Sequence, residues 1–201
     1  MAQKFSLRWR VNDIVVASVL AVACGLMFWV WSNAIYPALT TALALAPEYA
    51  PLAGGGWLLA GVLGGFIIRK PGAALYTELL AAIISGLLGT QYSWMVALSG
   101  LIQGIGAELV FAVLLYRVWN LSSALLAAAV SGFAMGFSEI IIYYASEITG
   151  AKAVVYVVCS IISGIVFAGL LSWIITRALA KTGVLPSLAS GRVQRIRTET
   201  R

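Results

Sequence analysis

Glu78, Glu108 and Glu139 lie inside apolar stretches long enough to cross a membrane, with no Lys, Arg or His at comparable depth. A carboxylate ionised in hydrocarbon costs a few kcal/mol or more, so such a group faces a bundle interior, shares a proton, or meets a cation brought from outside. The third possibility makes a small cationic molecule the first ligand to consider. Other titratable chemistry is thin. The 201-residue chain has no His and two Cys, Cys24 and Cys159, both in apolar stretches where a thiol is a small hydrophobe. With no nucleophile–base arrangement and no metal-ligand cluster, neither enzymatic activity nor a cofactor or metal is expected.

Helices must hold those carboxylates. At 62% hydrophobic and 10% charged residues, with mean hydropathy +0.99, a water-soluble fold would have a largely apolar surface. The chain is therefore expected to be an all-α integral membrane protein. Apolar runs of spanning length occur at about 13–33, 52–68, 73–89, 92–116, 121–146 and 151–180. The basic start before the first run superficially resembles a signal peptide, but the run is membrane-length and lacks a small-residue cleavage site, so it reads as a retained span. Six transmembrane helices over 13–180 then lie between a short segment 1–12 and a basic tail 181–201. Both termini fall on one side with Lys4, Arg8, Arg10, Arg69, Lys70, Arg117, Arg177 and Lys181, leaving Lys152 opposite. The positive-inside rule makes that side cytoplasmic. The formal charge of +6 is mostly this topology signal, so no nucleic-acid partner is inferred; the tail reads as a solvated, lipid-facing end.

Most connections are too short for anything but antiparallel hairpins. The exception is 34–51, where Pro37, Pro47 and Pro51 surround the apolar stretch 38–46. This outer loop either covers a site that opens outward or lies on the lipid surface. The run Gly54–Gly56 has no following Gly-Lys-Ser/Thr, and no Walker motif occurs, so the chain does not hydrolyse ATP by that route. Small residues recur four apart at Ala17/Ala21, Gly61/Gly65, Gly100/Gly104 and Gly132/Gly136, faces on which another helix can approach closely. For the glycine pairs internal packing is the expectation. The first helix is more open to a partner.

At ~1.5 Å of rise per residue, Glu78 lies about 12 Å from Lys70 and Glu108 about 14 Å from Arg117. The two acids reach similar depth on adjacent antiparallel helices, so an intramembrane acid pair sharing a proton is expected, with Gln103 as a further partner. That structural reading outweighs direct ligand contact. Glu139 stands about 27 Å along its helix from Leu121, near the outer surface. Its face carries Gly132, Gly136, Tyr143 and Ser146, and the sixth helix offers a stripe of Tyr156, Ser160 and Ser163. Together they sketch an outward pocket between the last two helices. Most tryptophans are distributed as an aromatic belt. Trp94 and Tyr92 beside Gln91, with Trp57, are the candidates to stack on a flat cationic ring.

Three stretches carry a family resemblance: Ile68-Arg69-Lys70-Pro71-Gly72-Ala73-Ala74-Leu75 followed by Glu78, then Gln103-Gly104-Ile105-Gly106-Ala107-Glu108, then Thr182-Gly183-Val184-Leu185. They resemble the YkoE family, substrate-binding S components of energy-coupling-factor (ECF) transporters for thiamine or its hydroxymethylpyrimidine precursor. The resemblance implies a six-helix subunit of the bacterial plasma membrane that captures a vitamin outside and works with a transmembrane coupling protein and two ATPase subunits. It also implies that Ala17 and Ala21 dock on the coupling protein. Thiamine stands ahead of the precursor, because its thiazolium cation answers the need for a counter-charge. An ion-coupled secondary transporter using Glu78 and Glu108 as a proton relay is the alternative; small size and the lack of a visible inverted repeat or interrupted helices stand against it. A purely structural subunit gives no reason for three acids.

Overall fold

The computed structural model describes residues 7–182, and among them there is no strand. Residues 1–6, with Lys4, and 183–201, with most of the basic tail and of the third resemblance stretch, lie outside the described residues. Six helical rods make up the fold: α1 (Val11–Ala42), α2 (Pro47–Ile68), α3 (Ala73–Leu87), α4 (Met95–Val113), α5 (Leu121–Tyr143) and α6 (Ala151–Lys181). All but α3, a 15-residue helix, are long and apolar enough to cross a bilayer. Short links join the six rods as successive hairpins, which brings both ends of the described chain to the same end of the bundle.

α2 is the centre of the molecule. It contacts every other rod, while α1, α3, α4, α5 and α6 follow one another around it. Its most apolar stretch is 89% buried, against 28–39% in the other four long rods. Close approach from all sides explains its glycines. A Cβ at Gly55 would come within 2.2 Å of the Ser163 carbonyl oxygen, and one at Gly64 within 2.3 Å of Thr77 Oγ1. The Gly55 N–H donates to Ser163 Oγ (2.8 Å), which donates to the Leu52 carbonyl (2.7 Å), fastening α2 to α6.

The first half of α2, Pro47–Leu58, winds as tight 3₁₀ turns and becomes α-helical from Leu59. Pro47 and Pro51 bring no N–H to the ladder there. α1 likewise does not end near Asn33. A widened turn, Trp31–Ile35, precedes Pro37 and carries the helix on to Ala42. The loop predicted over 34–51 as a possible lid is thus mostly helix, with 43–46 as the only link, because one wide turn accommodates the proline that the sequence reading took as a breaker.

The glycine pairs pack internally, as expected: a Cβ at Gly132 would meet the Ser160 carbonyl oxygen at 2.6 Å, and one at Gly136 would meet Ser160 Cβ at 2.8 Å. Ala17 and Ala21 correct the docking expectation. Both are fully buried, in a cluster with Leu63, Ile67, Ala73 and Ala81. Their smallness lets α1 approach α2 and α3, so the face they form is not available to a coupling protein. The outward face of α1 carries Val15, Val19, Val22 and Leu26 instead.

Candidate functional site

A cavity of about 750 Å³, the open space at its mouth included, lies towards the end of the bundle remote from the described termini. Helical periodicity supplies its walls. Phe28, Ser32 and Tyr36 repeat at four residues on α1; Glu78, Ala82 and Ser85 face in from α3; Val96, Ser99, Gly100 and Gln103 from α4. Trp57 of α2, Glu139 and Tyr143 of α5, Tyr156 of α6, Tyr92 from the α3–α4 connection and Tyr144 just after α5 complete it. The sequence placed the pocket between the last two helices. All six rods contribute.

The mouth is aromatic. Tyr36 and Trp57 have ring centroids 4.5 Å apart, and Trp57 meets Tyr92 edge-on at 5.8 Å. Opposite, Tyr144 lies 6.3 Å from Tyr143 and 5.8 Å from Tyr156. Trp57 is oriented by its indole N–H donating to Ser32 Oγ (3.0 Å). The Tyr156 hydroxyl donates to Glu139 Oε2 (2.9 Å), holding the carboxyl among the rings. A carboxylate inside an aromatic ring of this kind suits a flat cation, which gains from both the counter-charge and the ring faces.

Of the expected site residues, the structure brings Glu139, Tyr143, Tyr156, Tyr92 and Trp57 to the cavity, together with Gln103. Three stand apart. Ser160 is buried with its Oγ donating to the Gly132 carbonyl (2.6 Å), so it joins α6 to α5. Trp94 is 74% exposed outside the cavity, where the left-handed Ser93 (φ 53°) precedes it. Gln91 is exposed and donates to the Ser32 carbonyl at 3.4 Å. Sequence reasoning missed Ser32, at the end of the predicted first helix, and Tyr36, in the predicted loop. The repeat Phe28, Ser32, Tyr36 was the available signal.

The acid pair does not form. Glu78 Oε2 accepts the Gly61 N–H (2.5 Å), whereas Glu108 accepts the N–H groups of Gly72 (2.6 Å), Ala74 (2.9 Å) and Leu75 (3.3 Å) and the Tyr116 hydroxyl (2.7 Å). Glu108 therefore caps the first turn of α3 from the neighbouring helix, where N–H groups lack intrahelical partners and the helix dipole favours an anion. Equal depth in sequence concealed opposite duties: one acid faces the cavity and the other a helix end. Glu108→Ala leaves those donors unpaired and should cost about 2 kcal/mol of stability, read by thermal unfolding in detergent; an unchanged midpoint would remove this capping role.

Comparison with known proteins agrees with this architecture. A family profile described as "ABC-type cobalt transport system, permease component" matches residues 12–134. A Bacillus subtilis (strain 168) protein bearing the name HMP/thiamine permease protein YkoE is 31% identical over 186 residues, 92% of this chain and 91% of that protein. A crystal structure of an S component of an ECF transporter superposes with a TM-score of 0.90 at 29% identity, covering 96% of both chains.

Proposed function

This chain belongs to the YkoE family of ECF-transporter S components, and on that premise we propose that it captures thiamine, or its hydroxymethylpyrimidine precursor, for an ATP-driven importer. It is a multi-pass protein of the bacterial plasma membrane and, as an S component, not itself an enzyme. The observation that carries the ligand reading is Glu139 held by Tyr156 within an aromatic mouth. Thiamine offers a flat thiazolium cation to that mouth; the precursor offers only a neutral ring. A transition-metal cargo is less suited to this cavity. The chain has no His, and among the described residues no group of three or more His, Cys, Asp or Glu converges. Both termini are cytoplasmic in this reading, so the cavity opens outward, and a coupling protein with two ATPase subunits supplies the energy.

Isothermal calorimetry on the detergent-purified full chain tests the proposal. Saturable thiamine binding without ATP is expected, tighter than that of hydroxymethylpyrimidine. Binding of neither compound, beside clear binding of another vitamin, would transfer the chain to a different cargo. Proteoliposomes holding this chain alone should show no gradient-driven thiamine accumulation; robust accumulation there would favour an ion-coupled carrier.

A further inference from the structure

Below the aromatic mouth the cavity has a second carboxyl group, and it is seated with unusual care. Glu78 is 1% exposed and lines the cavity. A Cβ at Gly61 would come within 3.0 Å of its Oε2, and one at Gly104 within 3.1 Å of its own Cβ, so α2 and α4 each keep a glycine where the side chain passes. Gly61 lies just beyond the point where α2 turns α-helical, and its N–H fixes Oε2 at a helix start, where an anion is favoured. Oε1 is buried and has no protein hydrogen-bond partner among the described residues. A carboxyl with one oxygen anchored and the other unmatched is costly unless a donor meets it. Gln103 lines the wall near this level, and Ser99 and Ser85 continue it one to two turns outward, hydrogen-bonding groups without formal charge, in contrast to the tyrosines beside Glu139.

We propose that Glu78 is a specificity-determining residue that accepts a hydrogen bond on Oε1 from the amino group of a neutral aminopyrimidine, while the cationic ring of the same ligand occupies the mouth. This assignment rests on the reading of the cavity as the vitamin site. It makes the cavity selective for elongated ligands with a donor at one end and a positive charge at the other. The amino end enters first, because the floor offers the Glu78 carboxyl oxygen as an acceptor and the mouth holds the rings.

Glu78→Gln tests this directly. The glutamine oxygen can still accept from the Gly61 N–H, and the amide NH₂ then replaces Oε1, so a donor faces the ligand's donor. Calorimetry on the full chain should show thiamine and hydroxymethylpyrimidine both weakened about 10- to 100-fold, with the thermal midpoint of the ligand-free variant near that of the parent. A second measurement needs no variant: the parent chain should bind hydroxymethylpyrimidine at least about tenfold more tightly than its analogue lacking the amino group. Unchanged thiamine affinity in a folded Glu78→Gln chain, or equal binding of the two pyrimidines to the parent, overturns the role of Glu78 while leaving the vitamin-binding reading intact. Should the variant fail to fold, the pyrimidine comparison decides. Failure of the parent to bind thiamine or either pyrimidine overturns both readings together.

Discussion

Replacing Lys70 by Met should lower the unfolding free energy of the full chain by about 3–5 kcal/mol, because it leaves Asp13 buried without its cation. The two side chains are 2% and 1% exposed and in direct contact. Lys70 Nζ also donates to the Arg8 carbonyl at 2.5 Å, while the Asp13 carboxyl accepts the Arg10 N–H at 2.8 Å. The pair thus joins the start of α1 to the α2–α3 connection, which the Trp9 indole N–H reinforces by donating to the Pro71 carbonyl at 2.8 Å. Arg10, half-exposed and 3.7 Å from Asp13, offers partial replacement and places the effect towards the lower end of that range. The double variant Asp13→Leu with Lys70→Met should recover most of the loss, since removing both charges leaves no uncompensated ion. Chemical denaturation in detergent distinguishes these outcomes; a single variant as stable as the parent would show that solvent reaches the site.

That pair also shows what the sequence concealed. Asp13 and Lys70 are 57 positions apart, and nothing in their spacing announces a contact. The first two of the three resemblance stretches behave in the same way. Read singly, Ile68 to Glu78 and Gln103 to Glu108 look like two motifs bearing acids; folded, they complete each other. Glu108 of the second accepts N–H groups of Gly72, Ala74 and Leu75 in the first, and a Cβ on Gly104 of the second would meet Glu78 and Leu75 of the first at 3.1 Å. Arg69 and Gly72 adopt left-handed backbone (φ 57° and 82°) to make the turn between them. Counting depth along each helix put both acids at a similar level. It could not say which way each side chain faced, and that separated a cap from a cavity floor.

Elements were more legible than faces. Six apolar runs became six rods, with ends displaced mainly where a proline was taken as a stop, since hydrophobic length is a property of single segments. Which small residues face a neighbour depends on several segments at once. Ala17 and Ala21 have the same spacing whether they face a partner or the interior, and only the presence of Leu63, Ile67 and Ala81 opposite decides for the interior. For Glu139 the local stripe sufficed, because Tyr143 one turn onward and Tyr156 on the next helix are near in sequence as well as in space.

Glu139→Gln should weaken thiamine binding by about 1.5–3 kcal/mol, roughly 10- to 150-fold, the worth of a charge-assisted contact in a desolvated site. The fold should persist, because a glutamine oxygen can still accept from the Tyr156 hydroxyl, now 2.9 Å from the carboxyl. What disappears is the formal charge opposite the thiazolium. The neutral hydroxymethylpyrimidine lacks that cation, so its affinity should change far less, and the ratio between the two ligands is the informative quantity. Tyr36→Leu supplies an independent reading of the same mouth: it removes the ring whose centroid lies 4.5 Å from that of Trp57 without touching the carboxyl, and should cost thiamine about 0.5–2 kcal/mol through lost cation–π attraction. Calorimetric titration of both ligands into both variants separates charge from ring. Equal losses for thiamine and the neutral pyrimidine in Glu139→Gln, with the ratio between them unchanged, would mean that the carboxyl shapes the cavity rather than neutralising a cation.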